Sequence, residues 1–331
     1  LRQRNVTNQL LSMLVIPRNN RKTLIQRNSR LGLHGRRAIN KMVTLCILGL
    51  LCTIAVADTS RAVTDLSFPA DGYLQTGLER IVRAQGLWPQ IDAGRLALGL
   101  VDITDLDRPR RAMLNPDQMV YAASLPKIAI LLGAFVAIEA GDLVPDAKLR
   151  SAMTRMIRVS NNADATFVLS KVGRQNLIDI LTSDRLRLYH ADFNGGLWVG
   201  KDYAKRAAYA RDPLHGMSHG ATVRQVARFF YMLQRGELVS EPYRTEMKRI
   251  LADPAIEHKF VAGLQARPDA RLYRKSGTWR KYHADAALVE SGPYRYIVVG
   301  LAQHADGGEW LKRLAEPMHD LVVGGHARPS T

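Results

Sequence analysis

The sequence predicts an α+β fold in which strands from both ends of the chain form one mainly antiparallel sheet, with flanking helices and a central all-helical subdomain. Two observations support this prediction. Segments with the alternation and composition of strands lie at 95–103 and 111–114, and again after residue 270. Between them, apolar residues recur at helical spacing, and Gly, Pro and polar residues separate the helices.

The N-terminal elements are a helix followed by a hairpin. Residues 76–85 place Leu78 and Val82 at helical spacing, and a glycine follows as a stop. Residues 95–103 and 111–114 have strand patterns with a polar turn between them. This hairpin opens the sheet.

The middle of the chain is predicted to be helical. An apolar segment runs from Ser124 to Ile138 and stops at Gly141, which is too long for an ordinary strand. Pro126 is tolerated in the first turn of such a helix, where backbone N–H groups have no helical partner. Shorter helices are predicted at 147–156, 163–171, 176–181, 222–234 and 241–251.

The C-terminal part returns to strands. We predict strands at 271–276, 284–289 and 294–301, and a closing amphipathic helix at 309–322. Pro317 is expected to weaken that helix, because proline removes a helical hydrogen bond.

The N-terminal segment differs in composition from the rest of the chain. Residues 1–57 contain ten basic residues and no acidic one, and end in an apolar run of about 15 residues, shorter than the ~20 that span a bilayer. Ala55-Val56-Ala57 has the small-x-small pattern of a signal peptidase site. We predict a leader at 1–57 and an exported domain at 58–331, periplasmic or secreted, with an uncleaved anchor as the alternative.

Composition also limits the expected partners. Most of the formal net charge of +17 lies in the leader, so it does not predict a nucleic-acid partner, and membrane contact is expected only through the leader. Both cysteines, Cys46 and Cys52, precede residue 58, so the exported domain needs no disulfide. No HExxH, glycine-rich phosphate loop or cofactor pattern occurs. We expect a monomer without metal or cofactor.

Three short motifs suggest a reaction. They are Ser124-Leu125-Pro126-Lys127, Ser160-Asn161-Asn162 and Lys275-Ser276-Gly277-Thr278. A serine becomes a nucleophile when a base removes its proton, and lysine can be that base if burial and neighbouring cations keep it neutral. Each motif alone is as well explained by a helix-capping serine or a solvated lysine. Their order, at a helix start, an interhelical loop and a strand, predicts a serine nucleophile.

With these motifs the chain resembles the class A β-lactamases and low-mass penicillin-binding proteins. The resemblance continues through 115–123, which leads into the Ser-x-x-Lys motif, and through 162–173, which follows Ser-x-Asn. It covers most of residues 73–322. It implies the β-lactamase-like fold and an acyl-enzyme mechanism on a β-lactam or a peptidoglycan peptide.

The resemblance also implies roles for the catalytic residues. Ser124 would attack the carbonyl carbon, and Lys127 would take its proton. Ser160 would pass a proton to the leaving nitrogen, with Lys275 tuning Ser160 electrostatically.

The remaining motif residues would bind the substrate. Asn162 would hold the substrate's amide side chain, and the Ser276 and Thr278 hydroxyls would bind its carboxylate beside Gly277. The backbone N–H groups of Ser124 and Thr278 would form the oxyanion hole, in which one donor is typically worth about 100- to 1000-fold in rate.

The chain departs from the family in two places. Ser124 and Ser160 are only 36 residues apart, which predicts a more open cleft. No glutamate occurs between Glu139 and Glu237, so the family's water-activating glutamate has no counterpart. Asp192 is a candidate replacement, as is Asp202, although turn or surface roles are the simpler expectation for both.

Several functions remain open from sequence. The leading hypothesis is an exported, class A β-lactamase-like serine hydrolase that hydrolyses the β-lactam amide through Ser124. The alternatives are a D-alanyl-D-alanine carboxypeptidase or penicillin-binding protein with slow deacylation, a related esterase or amidase, and a non-catalytic sensor. Two further groups are predicted by default to be structural: the basic residues His258, Lys259 and Arg280 as a solvated face, and the aromatic residues after the Lys-Ser-Gly motif as packing groups.

Overall fold

The computed structural model describes residues 64–326. The predicted leader, residues 1–57, lies outside the described residues. Within residues 64–326, no helix combines the length and apolarity needed to cross a bilayer.

The described part of the chain contains a short 3-10 helix at Ala191–Phe193 and ten α-helices. In chain order they are α1 (Gly72–Ala84), α2 (Trp88–Asp92), α3 (Lys127–Glu139), α4 (Ala147–Arg158), α5 (Asn162–Val172), α6 (Arg174–Thr182), α7 (Val223–Arg235), α8 (Tyr243–Leu251), α9 (Phe260–Gly263) and α10 (Gly307–His326). Helices α3 to α6 follow one another without an intervening strand. They form the helical subdomain that the sequence predicts.

The described strands form one large sheet and two small ones. In chain order they are β1 (Leu96–Asp102), β2 (Arg110–Leu114), β3 (Val120–Tyr121), β4 (Tyr189–His190), β5 (Gly195–Gly196), β6 (Trp198–Val199), β7 (His219–Ala221), β8 (Ala270–Trp279), β9 (Tyr282–Ser291) and β10 (Tyr294–Gln303). The large sheet has the order β2-β1-β10-β9-β8, and every neighbouring pair is antiparallel. The predicted α+β fold, with one sheet built from both ends of the chain, is confirmed.

Strand β1 shows how both faces of the large sheet are covered. All seven of its residues are buried. Leu98 and Leu100 pack in one apolar cluster with residues of α1 and α10, while Ala97 and Val101 belong to a second cluster with α3 and α7. Alternate side chains of a strand point to opposite faces, so this strand joins two cores.

Two local differences from the predicted helices matter. Ser124 is not helical: it lies in a turn before α3, where Lys127 N–H donates to the Ser124 carbonyl (3.2 Å), and Pro126 occupies the N-cap position. Helix α10 runs unbroken through Pro317, so the expected weakening does not end it. Its apolar side chains Leu314 and Met318 are fully or almost fully buried, and this packing outweighs the one missing donor.

Candidate active site

The turn at Ser124 is fixed by its neighbours. Ala122 N–H donates to the His219 carbonyl of β7 (3.2 Å), and Leu125 N–H donates to the Ala122 carbonyl (3.0 Å). Ala123, directly before Ser124, has a left-handed backbone with φ of 51°. A non-glycine residue adopts this conformation only when its surroundings require it, so the direction of Ser124 is set by tertiary contacts.

Ser160 lies between two buried lysines. Lys127 Nζ donates to the Ser160 carbonyl (2.6 Å), to Ser160 Oγ (3.3 Å) and to Asn162 Oδ1 (2.8 Å). Lys275 Nζ donates to Ser160 Oγ (3.0 Å) and to the Ser276 carbonyl (2.6 Å). We call Lys127, Ser160, Asn162 and Lys275 the Ser160 cluster. All three sequence motifs therefore contribute to one site.

Local structure explains how Ser160 and Asn162 reach this position. Asn161 caps α5 by accepting the Asp164 N–H at its side-chain oxygen (2.9 Å), which places Asn162 in the first turn of the helix. Ser160, just before the cap, has φ of 58°. This kink directs its carbonyl and hydroxyl toward Lys127.

Burial changes the protonation of both lysines. It lowers the pKa of Lys127 to about 7, because a charged ammonium loses its hydration in the protein interior. Burial also lowers the pKa of Lys275 far below its ordinary value, and repulsion from Lys127 and Arg274 adds to the shift. The site can therefore hold a neutral amine beside a hydroxyl at neutral pH.

Gly277 permits β8 to approach the Ser124 turn. A Cβ at this position would lie 2.3 Å from the Ala122 carbonyl oxygen and 2.7 Å from Ser124 N. Both are backbone atoms, so no flexible side chain could move away. Only glycine lets the strand pass this close, and the following residue, Thr278, lines the same cavity as Ser124.

Lys259 does not lie on a solvated face, so the sequence-based prediction for this residue was wrong. Its side chain is only 3% exposed, and Nζ donates to the Gly277 carbonyl (2.7 Å), to Thr278 Oγ1 (2.8 Å) and to the Ala284 carbonyl (3.1 Å). Its backbone is left-handed, with φ of 54°. The side chain reaches acceptors on two neighbouring strands, β8 and β9. The polar local sequence gave no sign of this burial.

A cavity of about 400 Å³ opens at the Ser124 turn. Ser124, Asn162 and Thr278 line it on one side. The other side is formed by residues 201–219, which we call the wall. Trp279 also lines the cavity and is 55% exposed. The prediction that the aromatic residues after the Lys-Ser-Gly motif pack into the interior is therefore wrong for Trp279.

Two uncharged rings of the wall face the Ser160 cluster. The Tyr203 hydroxyl donates to the Ala123 carbonyl (3.1 Å), and its ring centre lies 4.5 Å from Lys127 Nζ. His219 packs against Tyr203 in a tilted arrangement, with ring centres 4.4 Å apart, and donates from Nε2 to the Lys201 carbonyl (3.0 Å). Burial lowers the pKa of His219 to about 4, so its imidazole is neutral at pH 7.

The two aspartates that the sequence offers as water-activating groups are both held by arginines. Asp202 lines the cavity, but Arg174 donates to both of its carboxylate oxygens, at 2.9 and 2.7 Å. Asp192 accepts from Arg187 (3.0 Å), has a side chain 70% exposed and does not line the cavity. Asp192 is therefore not brought to the Ser160 cluster, because the short helical turn at Ala191–Phe193 points it toward Arg187 and solvent.

Sequence reasoning missed most of the wall. Tyr203 and His219 follow no motif spacing, and Tyr121, which also lines the cavity, looks like an ordinary strand residue. Nothing in the local sequence could have identified them. No group of three or more possible metal ligands occurs within residues 64–326.

Comparisons with known proteins agree with this architecture. A model of the β-lactamase enzyme family matches residues 146–319, more than half of the chain. No curated protein matches it by sequence.

Among solved structures, a β-lactamase from Sphaerobacter thermophilus superposes with a TM-score of 0.59 at 15% identity, covering 78% of this chain and 99% of its own. A β-lactamase from Xanthomonas campestris gives 0.59 at 16% identity, covering 74% and 98%. A mutant of PBP-A, in an acyl-enzyme complex with penicillin G, gives 0.57 at 17% identity, covering 79% and 100%. These similarities show a shared fold, and together with the family match they establish that the chain belongs to the β-lactamase enzyme family.

Proposed function

We propose that this protein is a serine acyl-transfer enzyme that opens the β-lactam amide with Ser124 and releases the acyl group slowly. The observation that carries the proposal is the Ser160 cluster, in which a lysine of lowered pKa lies within hydrogen-bond distance of a serine of the second motif. The reaction it supports is acylation at an amide that is flanked by a carboxylate.

In the proposed acylation step, neutral Lys127 removes the Ser124 hydroxyl proton while the Ser124 oxygen bonds to the carbonyl carbon. A neutral amine has two N–H groups, which the Ser160 carbonyl and Asn162 Oδ1 can accept, and this leaves its lone pair for the incoming proton. The carbonyl oxygen becomes an oxyanion. The N–H groups of Ser124 and Thr278 stabilise it, and Gly277 allows the two to lie close together.

The C–N bond then breaks, and the leaving nitrogen takes the proton of Ser160 Oγ. Lys127, protonated in the first step, returns a proton to Ser160 across their 3.3 Å contact. Lys275 on the other side of Ser160 stabilises the transient alkoxide. The product is a Ser124 ester that still carries the freed amine, because the broken C–N bond was part of a ring, and the site returns to its starting protonation.

Hydrolysis of that ester requires a base that activates water. Asp202 is the only carboxylate among the described residues that line the cavity, and Arg174 occupies both of its oxygens. Tyr203 lies beside Lys127, and neutral His219 packs against Tyr203. This arrangement favours a long-lived acyl-enzyme, which is the behaviour of a penicillin-binding protein.

The test is an intact-mass time course of residues 58–331 with benzylpenicillin, with Ser124→Ala as the matched control. We expect the wild-type mass to increase by one penicillin and to remain increased for many minutes, while the control stays unchanged. A short-lived adduct with consumed drug would instead make the protein an efficient β-lactamase. No adduct and no drug consumption would refute the acyl-enzyme proposal.

A further inference from the structure

A second cavity, of about 450 Å³, continues from the first one. The two share three lining residues: Tyr121, Lys201 and Trp279. None of the motif residues lines the second cavity. It is therefore an extension of the cleft that does not contain the reacting groups.

The position of this cavity relative to the strand β8 decides which part of a substrate could reach it. Lys275, which contacts Ser160, comes four residues before Trp279 on β8. In the proposed reaction the leaving nitrogen lies beside Ser160, at the Lys275 end. Trp279 and Tyr121 line both cavities, so an acyl side chain directed away from the Ser160 and Lys275 end would pass them into the second cavity.

The lining of the second cavity is aromatic on one side. Tyr121 and Tyr282 meet edge to face at 5.2 Å, and Trp279 is more than half exposed beside them. Such a surface packs against an apolar or planar segment of a ligand.

The same cavity carries two cations of the wall and no described carboxylate. Arg211 is exposed and donates to the Gly216 carbonyl (2.9 Å), and Lys201 is half-buried. Neither forms an ion pair with any residue in the range 64–326, although most of the arginines there do. Charge complementarity therefore favours an anionic group of the ligand in the second cavity, beside Lys201 and Arg211.

We infer that the second cavity is an acyl-side subsite that selects acyl donors whose side chain ends in a carboxylate. The apolar stem of the side chain lies on Tyr121, Tyr282 and Trp279, and the carboxylate accepts from Arg211 and Lys201. This inference rests on the proposed function, because it needs an acyl group attached to Ser124.

The experiment compares two penicillins that differ only in the end of the side chain: an adipoyl amide, which ends in a carboxylate, and a hexanoyl amide, which ends in a methyl group. The second-order acylation rate constant is measured for each by intact mass. We expect the wild type to prefer the adipoyl compound by about 10-fold at low salt, and the preference to shrink as the salt concentration rises.

The variants identify the origin of the preference. Arg211→Gln should reduce the ratio of the two rate constants to within about 2-fold, and Arg211→Lys should retain part of it. Arg271→Gln is the matched control, since this exposed arginine lies at the other end of β8, roughly 26 Å along the strand from Trp279. It should leave both rate constants unchanged.

The outcomes distinguish failure of the subsite from failure of the proposed function on which it rests. If neither penicillin forms an adduct, the proposed function fails. If both acylate the wild type at equal rates, or if the preference survives in Lys201→Gln/Arg211→Gln, the function stands and the subsite is wrong.

Discussion

The Ser160 cluster and the wall meet beside one cavity, where Tyr203 lies against Lys127, but they differ in the groups that they offer to a substrate. The cluster brings two lysines of lowered pKa to one serine hydroxyl. The wall offers a tyrosine ring, a neutral histidine and an aspartate held by Arg174. Acylation and deacylation need different proton acceptors, so one half of this site can be complete while the other half is not.

The largest expected effect concerns the base on the cluster side. Lys127→Arg keeps a cation but removes the neutral state, since the guanidinium does not deprotonate in proteins. Acylation by benzylpenicillin should slow by about 1000-fold, within the range attributed to general acid–base catalysis. Thermal unfolding of the variant checks that the larger side chain has not disrupted the fold.

The wild-type pH profile tests the same base without a substitution. Lys127 accepts a proton only when it is neutral, and its pKa is lowered to about 7. The acylation rate should therefore rise about 10-fold per pH unit below pH 7 and level off above it. A rate that stays flat from pH 5 to 9 would show that Lys127 is not the base.

The next effect concerns the close approach of β8 to the Ser124 turn. Gly277→Ala places a Cβ against two backbone atoms and should displace the strand from Ser124 N. We expect acylation to fall by about 100-fold through loss of oxyanion geometry. Gly72→Ala is the control, because its Cβ would meet nothing within 4 Å. Equal rates in the two variants would contradict the oxyanion assignment.

The smallest expected effect lies on the wall. Asp202→Asn and Asp192→Asn should each change the lifetime of the penicillin adduct by less than about 2-fold, because Arg174 and Arg187 already hold these carboxylates. The lifetime is read from the decay of adduct mass after excess drug is removed. A much longer adduct lifetime in either variant would identify that aspartate as the deacylating base. The wall would then supply a base for deacylation, as the Ser160 cluster does for acylation.

The motifs could be predicted from sequence because each is short and contiguous. Ser124 and Lys127, or Ser160 and Asn162, are separated by two residues or fewer, so local backbone geometry keeps them together. The family resemblance then supplied the relation between motifs that local geometry could not. The buried position of Lys259 escaped prediction because it depends on contacts with Thr278 and Ala284, which are distant in sequence.

The sequence by itself determined the α+β class, the strands at both ends of the chain and the residues of the three motifs, because hydrophobic periodicity and short spacings are local properties. Only the tertiary structure decided that Lys127 and Lys275 converge on one hydroxyl, that Arg174 holds Asp202, and that the wall presents Tyr203 to the cluster. These arrangements join residues far apart in the chain. Burial, which sets their pKa values and their charge, exists only once the chain has folded.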